Sequence, residues 1–279
     1  MFYKDFTSAN CDHPASDAFR VRSMANQERP RGTTAICGFD ADTIKVRERN
    51  LVSDLIGHVS FTNYLYLQAT GREPDAAQAA IVDAVLVTIM EHGLVPSAIV
   101  TRLTHYGAPE SFQGAVAAGL LGVGDRYAGT ASECGAILER LVSTPAKDRL
   151  DAAIKEVRSY RETRKPVPGF GHPIHAEHDP RVPRLLEVAQ EAGASGEYIE
   201  AMHRLETALL EVTGKELVTN ISAAIAAVLG EAGIPSSLMR GIILTARCAG
   251  LVGHLFEEMQ NPSAHALWEA AQTGVDYKP

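Results

Sequence analysis

The residues with the most chemical potential lie in one stretch, Lys165-Pro166-Val167-Pro168-Gly169-Phe170-Gly171-His172-Pro173, followed by Ile174-His175-Ala176-Glu177-His178-Asp179-Pro180-Arg181. A histidine on a glycine-flanked loop and an arginine at the start of a helix can face one small polar ligand, and glycines let a ligand approach the backbone closely. The triplet His172, His175 and His178 has a metal-site look beside Asp179. Its spacing suits one helical face only roughly, and Pro173 interrupts any such helix, so no metal is expected. Three more places stand out. His92 sits in Glu91-His92-Gly93, where an apolar helix stops at glycine: a cap on the helix dipole or a ligand contact from its end. Gly124-Asp125-Arg126-Tyr127-Ala128-Gly129 breaks a run of helices, as either a plain turn or a cleft lining. Arg247 lies deep in the most apolar long segment, where a buried guanidinium demands an acidic partner or an anionic ligand. His254, further along that segment, reads as a satisfied core histidine.

The elements that must position these residues are almost all helical. Asp179 reads as an N-cap with Pro180 at the first helical position, and Val182, Leu185, Leu186 and Ala189 carry the helix away from the loop. Helices are also expected over 50–68, 74–92, 96–106, 109–123, 130–142, 147–164, 197–213, 217–232 and 235–260. The convincing β signal is confined to Thr33–Cys37 and Thr43–Val46, flanking Gly38-Phe39-Asp40-Ala41-Asp42 as a small hairpin. No strand–helix alternation appears, which argues against a parallel α/β sheet. The expected organisation is an N-terminal arm over 1–32, the first part of a large domain over 33–165, a small domain and return over 166–260, and a tail over 261–279.

Composition narrows the function. The chain has 279 residues, 46% of them apolar, enough for a sizeable core. A net charge of −8, from 34 acidic against 26 basic residues, argues against nucleic-acid or membrane-surface binding but not against a small anion. Apolar runs read as too short to span a bilayer, and the N-terminus lacks the features of a signal or transit peptide. Cys11, Cys37, Cys134 and Cys248 are widely spaced and read as reduced thiols of a cytoplasmic protein.

In this order, and on an all-helical chain, these motifs carry a specific likeness. Glu91-His92-Gly93 with Pro96-Ser97-Ala98, the run Gly124 to Gly129, Gly169-Phe170-Gly171-His172 with Asp179-Pro180-Arg181, Asn220-Ile221-Ser222, and Ala246-Arg247 through Gly253-His254 together resemble the citrate synthases. Over about residues 40–279 the likeness is strongest to the citryl-CoA lyase branch, including the C-terminal module of ATP-citrate lyase. The resemblance implies a mainly α fold, a large and a small helical domain with the site in the cleft, and a homodimer or higher assembly. It implies aldol or retro-aldol chemistry between a coenzyme A thioester and a 2-oxo acid, typically oxaloacetate. His92, His172, Arg181 and Arg247 match positions that hold the oxo acid, with His172 able to donate to the carbonyl oxygen that becomes an alkoxide. Val167, Gly169 and Phe170 match the loop that receives the adenine, and Arg161, Arg164 and Lys165 either meet the phosphates of coenzyme A or form a solvated helix face.

Two departures bear on the reaction. Tyr127 stands where citrate synthases carry histidine, which favours the lyase branch. Ser222 stands where the family carries the carboxylate that exchanges the α-proton of acetyl-CoA, and an unassisted serine cannot do that. Three readings follow: a citryl-CoA lyase-like enzyme in which Tyr127 or Asp125 takes the proton role; a related lyase or synthase on another oxo acid or thioester; and a binding paralogue without turnover.

Overall fold

A computed structural model of the chain describes residues 32–171 and 179–279, with Arg126 and Tyr127 described by their backbone alone. β1 (Cys37–Phe39) and β2 (Ile44–Val46) pair antiparallel, Cys37 opposite Val46 and Phe39 opposite Ile44. Asp40 makes the turn: its carboxylate accepts from the amides of Asp42 (3.0 Å) and Thr43 (2.8 Å) and from the Thr43 hydroxyl (2.7 Å). The first strand therefore begins at Cys37 instead of Thr33, and a third, β3 (Arg49–Asn50), pairs with β2.

The helix expected over 50–68 is two pieces. A single wide turn over Leu51–Leu55 is capped by the Asn50 side chain, and the chain then passes through Gly57 at φ 79°. It restarts at α1 (Phe61–Thr70), N-capped by Ser60. Periodicity ran through a stop and a cap that the residues themselves encode. α2 (Ala76–Met90) opens with a reciprocal capping box between Asp75 and Gln78. Then come α3 (Pro96–Gly107), α4 (Phe112–Leu121), α5 (Thr130–Val142), α6 (Arg149–Glu162), α7 (Arg181–Glu191), α8 (Glu197–Thr213), α9 (Ile221–Glu231) and α10 (Ser236–Gln260). The tail contains a further helix, α11 (Ala264–Gly274).

α9 is the axis of the core. Every residue from Ala223 to Gly230 is buried, and α2, α5, α7, α8 and α10 pack around it. A helix apolar on all sides belongs in the interior. Its alanines and Gly230 let neighbours come close; a Cβ at Gly230 would occupy the ring of Tyr198. Against the expectation that apolar runs are too short, α10 is long and apolar enough, by length and composition, to cross a bilayer. It packs instead against α2, α3, α4 and α5, with Arg247 and Glu258 buried in protein contacts. At Gly250 the crossing is so close that a side chain would strike the Met90 carbonyl, and this is what delivers Arg247 to the end of α2. Residues Ile36–Pro279 make up one compact unit.

Candidate active site

The glycine loop is held by the segment that leads into α9. The amide of Gly171 donates to the Val218 carbonyl (2.6 Å), the amide of Asn220 to the Gly169 carbonyl (3.0 Å), and the Asn220 side-chain amide to the Gly171 carbonyl (2.8 Å). Gly169 (φ 92°) and Gly171 (φ 83°) are both in the left-handed region. A Cβ at Gly169 would also lie 2.7 Å from the Ala223 Cβ, so this glycine is demanded twice. Val167 and Phe170 turn their side chains into the core, and Cys134, its thiol pushed up by burial to about 12, lies beneath Gly169. Arg164 and Lys165 are exposed beyond the end of α6. His172, His175 and His178 lie outside the described residues, where their expected roles remain expectations.

Asp179 anchors the far side of the loop. Its buried carboxylate accepts from Arg181 Nε (2.9 Å) and Nη2 (2.8 Å), from the Arg181 amide (3.1 Å) and from the Ile221 amide (3.2 Å). Burial raises this carboxyl, but the Arg181 guanidinium and the two amides more than offset it and hold it below the usual range. One side chain thus ties the start of α7 to the start of α9. Helix α7 begins one residue later than read from the sequence, with Pro180 at the N-cap, yet Asp179 still satisfies the first amide. The Arg181 Nη1 left over lies 3.4 Å from His92 Nδ1.

His92 also lines a cavity of about 60 Å³ with Ile89, Val95, Ser97, Val123 and Arg247. Arg247 is 5% exposed. Its Nη1 donates to the carbonyls of Met90 (2.8 Å) and Ile89 (3.4 Å), closing the C-terminus of α2. Its Nη2 is buried with no hydrogen-bond partner among the described residues. Burial pushes this guanidinium down from its ordinary pKa, opposed by Glu91. No carboxylate is among the described residues lining the cavity. The sequence left Arg247 between an internal ion pair and a ligand; the structure gives it a helix end and one unused donor. Three of the expected binding residues, His92, Arg181 and Arg247, thereby share one neighbourhood.

Behind this pocket runs a polar chain that the sequence reading missed. Glu91 accepts from the amides of His92 (2.9 Å) and Gly93 (2.6 Å) and lies 3.0 Å from His254 Nε2. Arg102 donates to His254 Nδ1 (2.9 Å) and to Glu258 (2.7 Å), and also contacts Glu257. With Nδ1 accepting from a guanidinium, the His254 proton belongs on Nε2, facing Glu91. Glu258 then accepts from the Ser263 amide and hydroxyl (2.8 Å each) and from the Ala264 amide (2.8 Å). The signal was available: Arg102 is a charged residue within an apolar helical stretch, as Arg247 is.

The proton-transfer candidates are spread out. Asp125 is exposed and paired with Arg240 at 2.6 Å, two residues beyond Val123 of the cavity wall. Tyr127 falls in the same turn, Asp125–Gly129. Ser222 is half-buried in the first turn of α9; its amide donates to Asn220 Oδ1 (2.9 Å), and its hydroxyl makes no hydrogen bond among the described residues. Since Asn220 is bonded to Gly169 and Gly171, Ser222 stands next to the glycine loop. No three His, Cys, Asp or Glu side chains among the described residues converge as a metal site would require.

The citrate synthase C-terminal domain family model matches residues 43–268. A citrate synthase of Synechocystis sp. is 28% identical over 208 residues, covering 71% of this chain and 49% of the relative. This chain spans 49% to 63% of the length of the first curated relatives it matches. The structure of citryl-CoA lyase from Hydrogenobacter thermophilus superposes with a TM-score of 0.78 at 29% identity, covering 89% of this chain and 94% of that one. ATP citrate lyase from Methanothrix soehngenii, in complex with citrate and coenzyme A, shares the fold at a TM-score of 0.71 and 17% identity, over 99% of this chain and 46% of that one. The chain belongs to the citrate synthase family.

Proposed function

We propose that the chain is a citryl-CoA lyase-like carbon–carbon lyase, cleaving a coenzyme A thioester to acetyl-CoA and oxaloacetate or running the reverse condensation. The observation that carries this reading is the buried Nη2 of Arg247, without a hydrogen-bond partner among the described residues and beside His92, with Arg181 on the other side of that imidazole. Two guanidinium groups and an imidazole suit the carboxylates and the oxygen of an oxo acid. In cleavage the substrate hydroxyl loses its proton, the carbon–carbon bond breaks, and its electron pair passes to the thioester as an enolate that is then protonated at carbon. His172 is assigned the oxygen end of this step by family position.

The carbon end is where the chain departs from its relatives. Ser222 carries no carboxylate, and Asp125 and Tyr127 are the candidates to supply or remove the α-proton. For coenzyme A, Arg164 and Lys165 offer exposed cations beside the loop, while the core-facing side chains of Val167 and Phe170 leave the adenine to the loop backbone and its rim. The homodimer is supported by exposed apolar side chains on α4 and α10, Leu121, Val252, Phe256 and Met259. A second reading, the same fold acting on a different oxo acid or thioester, is favoured by Ser222 alone.

The test is turnover of citryl-CoA with separate detection of acetyl-CoA and oxaloacetate. Cleavage is the expected result. Silence with citryl-CoA but turnover of another thioester in a panel supports the second reading, and oxaloacetate binding with no turnover at all reduces the chain to a binding protein. A further expectation concerns Ser222→Asp: restoring the family's carboxylate should raise solvent exchange of the acetyl-CoA methyl protons by about a hundredfold, the low end of what positioned general bases contribute. An unchanged exchange rate would mean that Ser222 does not face the thioester.

A further inference from the structure

Arg247 cannot satisfy a ligand carboxylate alone. Its Nη1 is committed to the Met90 carbonyl at 2.8 Å, which leaves a carboxylate the Nη2 and Nε hydrogens. A carboxylate has about four acceptor sites, more than those hydrogens fill, and in a buried cavity the remainder needs a further donor. The cavity wall facing that need is the N-terminus of α3. Val95 caps the helix without a side-chain hydrogen bond, and Pro96 in the first turn brings no amide hydrogen. The amides of Ser97 and Ala98 are therefore without an intrahelical acceptor, at the positive end of a twelve-residue helix. Ser97 lines the cavity, is 5% exposed, and its hydroxyl makes no hydrogen bond among the described residues. A cavity of about 60 Å³ has room for a carboxylate group.

We infer that Ser97, through its hydroxyl and its amide at the start of α3, is the second half of a carboxylate clamp whose first half is Arg247 Nη2. This inference rests on the oxo-acid reading above and adds a binding residue to it. The remainder of the ligand extends past His92 toward Arg181, so the clamp selects oxo acids with a second carboxylate to place there.

Calorimetry with oxaloacetate and, separately, pyruvate on the wild type, Ser97→Ala and Ser97→Thr decides the matter, with thermal melts of each ligand-free protein alongside. Ser97→Ala should weaken oxaloacetate binding about tenfold, or about 1.4 kcal/mol. Ser97→Thr, which keeps the hydroxyl, should recover most of that loss, and the ligand-free melts should coincide. Pyruvate should bind more weakly than oxaloacetate throughout. If the wild type binds oxaloacetate and Ser97→Ala binds it equally well, the clamp is wrong and the oxo-acid reading stands. If Ser97→Ala lowers the melting temperature and Ser97→Thr rescues nothing, the residue is structural and the clamp again fails. A wild type that binds no oxaloacetate removes the oxo-acid reading and the clamp with it.

Discussion

Glu258→Ala is expected to destabilise the protein by about 3–5 kcal/mol, the cost of leaving a buried charge without its partner. Arg102 and Glu258 have side chains 4% and 3% exposed and meet at 2.7 Å. Glu257 also reaches Arg102, but its side chain is 60% exposed and cannot neutralise the buried guanidinium alone. Removing Glu258 also strands the amides of Ser263 and Ala264, which it caps at the start of α11. Urea denaturation would show the loss as a lower midpoint with an unchanged slope. The pH dependence gives an independent reading. Burial raises the Glu258 carboxyl, but the Ala264 amide, Arg102 and Ser263 more than offset it and hold it at about 2, against an ordinary 4.5. A carboxyl whose folded pKa is depressed contributes stability that is complete above its unfolded pKa and is lost as pH falls through the folded one. The gap between wild type and Glu258→Gln should therefore be widest above pH 4.5 and close by about 3 kcal/mol down to pH 2. Parallel acid limbs in the two proteins would show that this carboxylate is not specially stabilised.

That network marks the boundary of what the residues could tell in advance. α8 runs over Glu197–Thr213 as read, because Gly196 and Gly214 punctuate it locally and both adopt positive φ. α11 escaped the sequence reading because its cap comes from Glu258 in the preceding helix, with no side-chain cap of its own. The Asn50–Gln68 segment failed the other way: its apolar spacing outweighed Gly57 and Ser60, two local signals that decide the matter. Arg247 was legible as a problem, since a cation in an apolar helix must have a partner. Its solution, carbonyls from α2 on one nitrogen and none on the other, depends on how α10 crosses α2 at Gly250, and no local pattern records that crossing. Val167 and Phe170 were matched to a ligand loop by family likeness; that their side chains are buried in the main core is set by long-range packing, which no local pattern records. Asp179 was read as the N-cap; Pro180 takes that position and Asp179 satisfies the Arg181 amide from one residue further back, while its bond to the Ile221 amide is long-range information.

Arg247→Met should abolish oxo-acid binding while leaving the ligand-free protein about as stable as before. The guanidinium is buried, its pKa is depressed by desolvation, and its Nη2 has no partner among the described residues, so without ligand it is a cation held at a loss. Methionine fills the same channel with an apolar chain and removes that loss. The cost is two carbonyl bonds at the end of α2, of which only the one to Met90, at 2.8 Å, is short. For the ligand the balance is reversed. Deleting one partner of a buried, charge-assisted contact costs about 2–5 kcal/mol, or at least about 30-fold in affinity. Thermal melts with and without saturating oxaloacetate would separate the two effects: a ligand-induced rise in the wild type, none in Arg247→Met, and ligand-free midpoints within a few degrees of each other. Arg247→Lys sharpens the test, because one ammonium cannot cap α2 and meet a carboxylate with the reach of a guanidinium. It should fold and bind at least tenfold more weakly. If Arg247→Met instead unfolded at much lower temperature without ligand, the arginine would be a strut for the α2–α10 crossing, and its unpaired nitrogen would lose its meaning as a binding group.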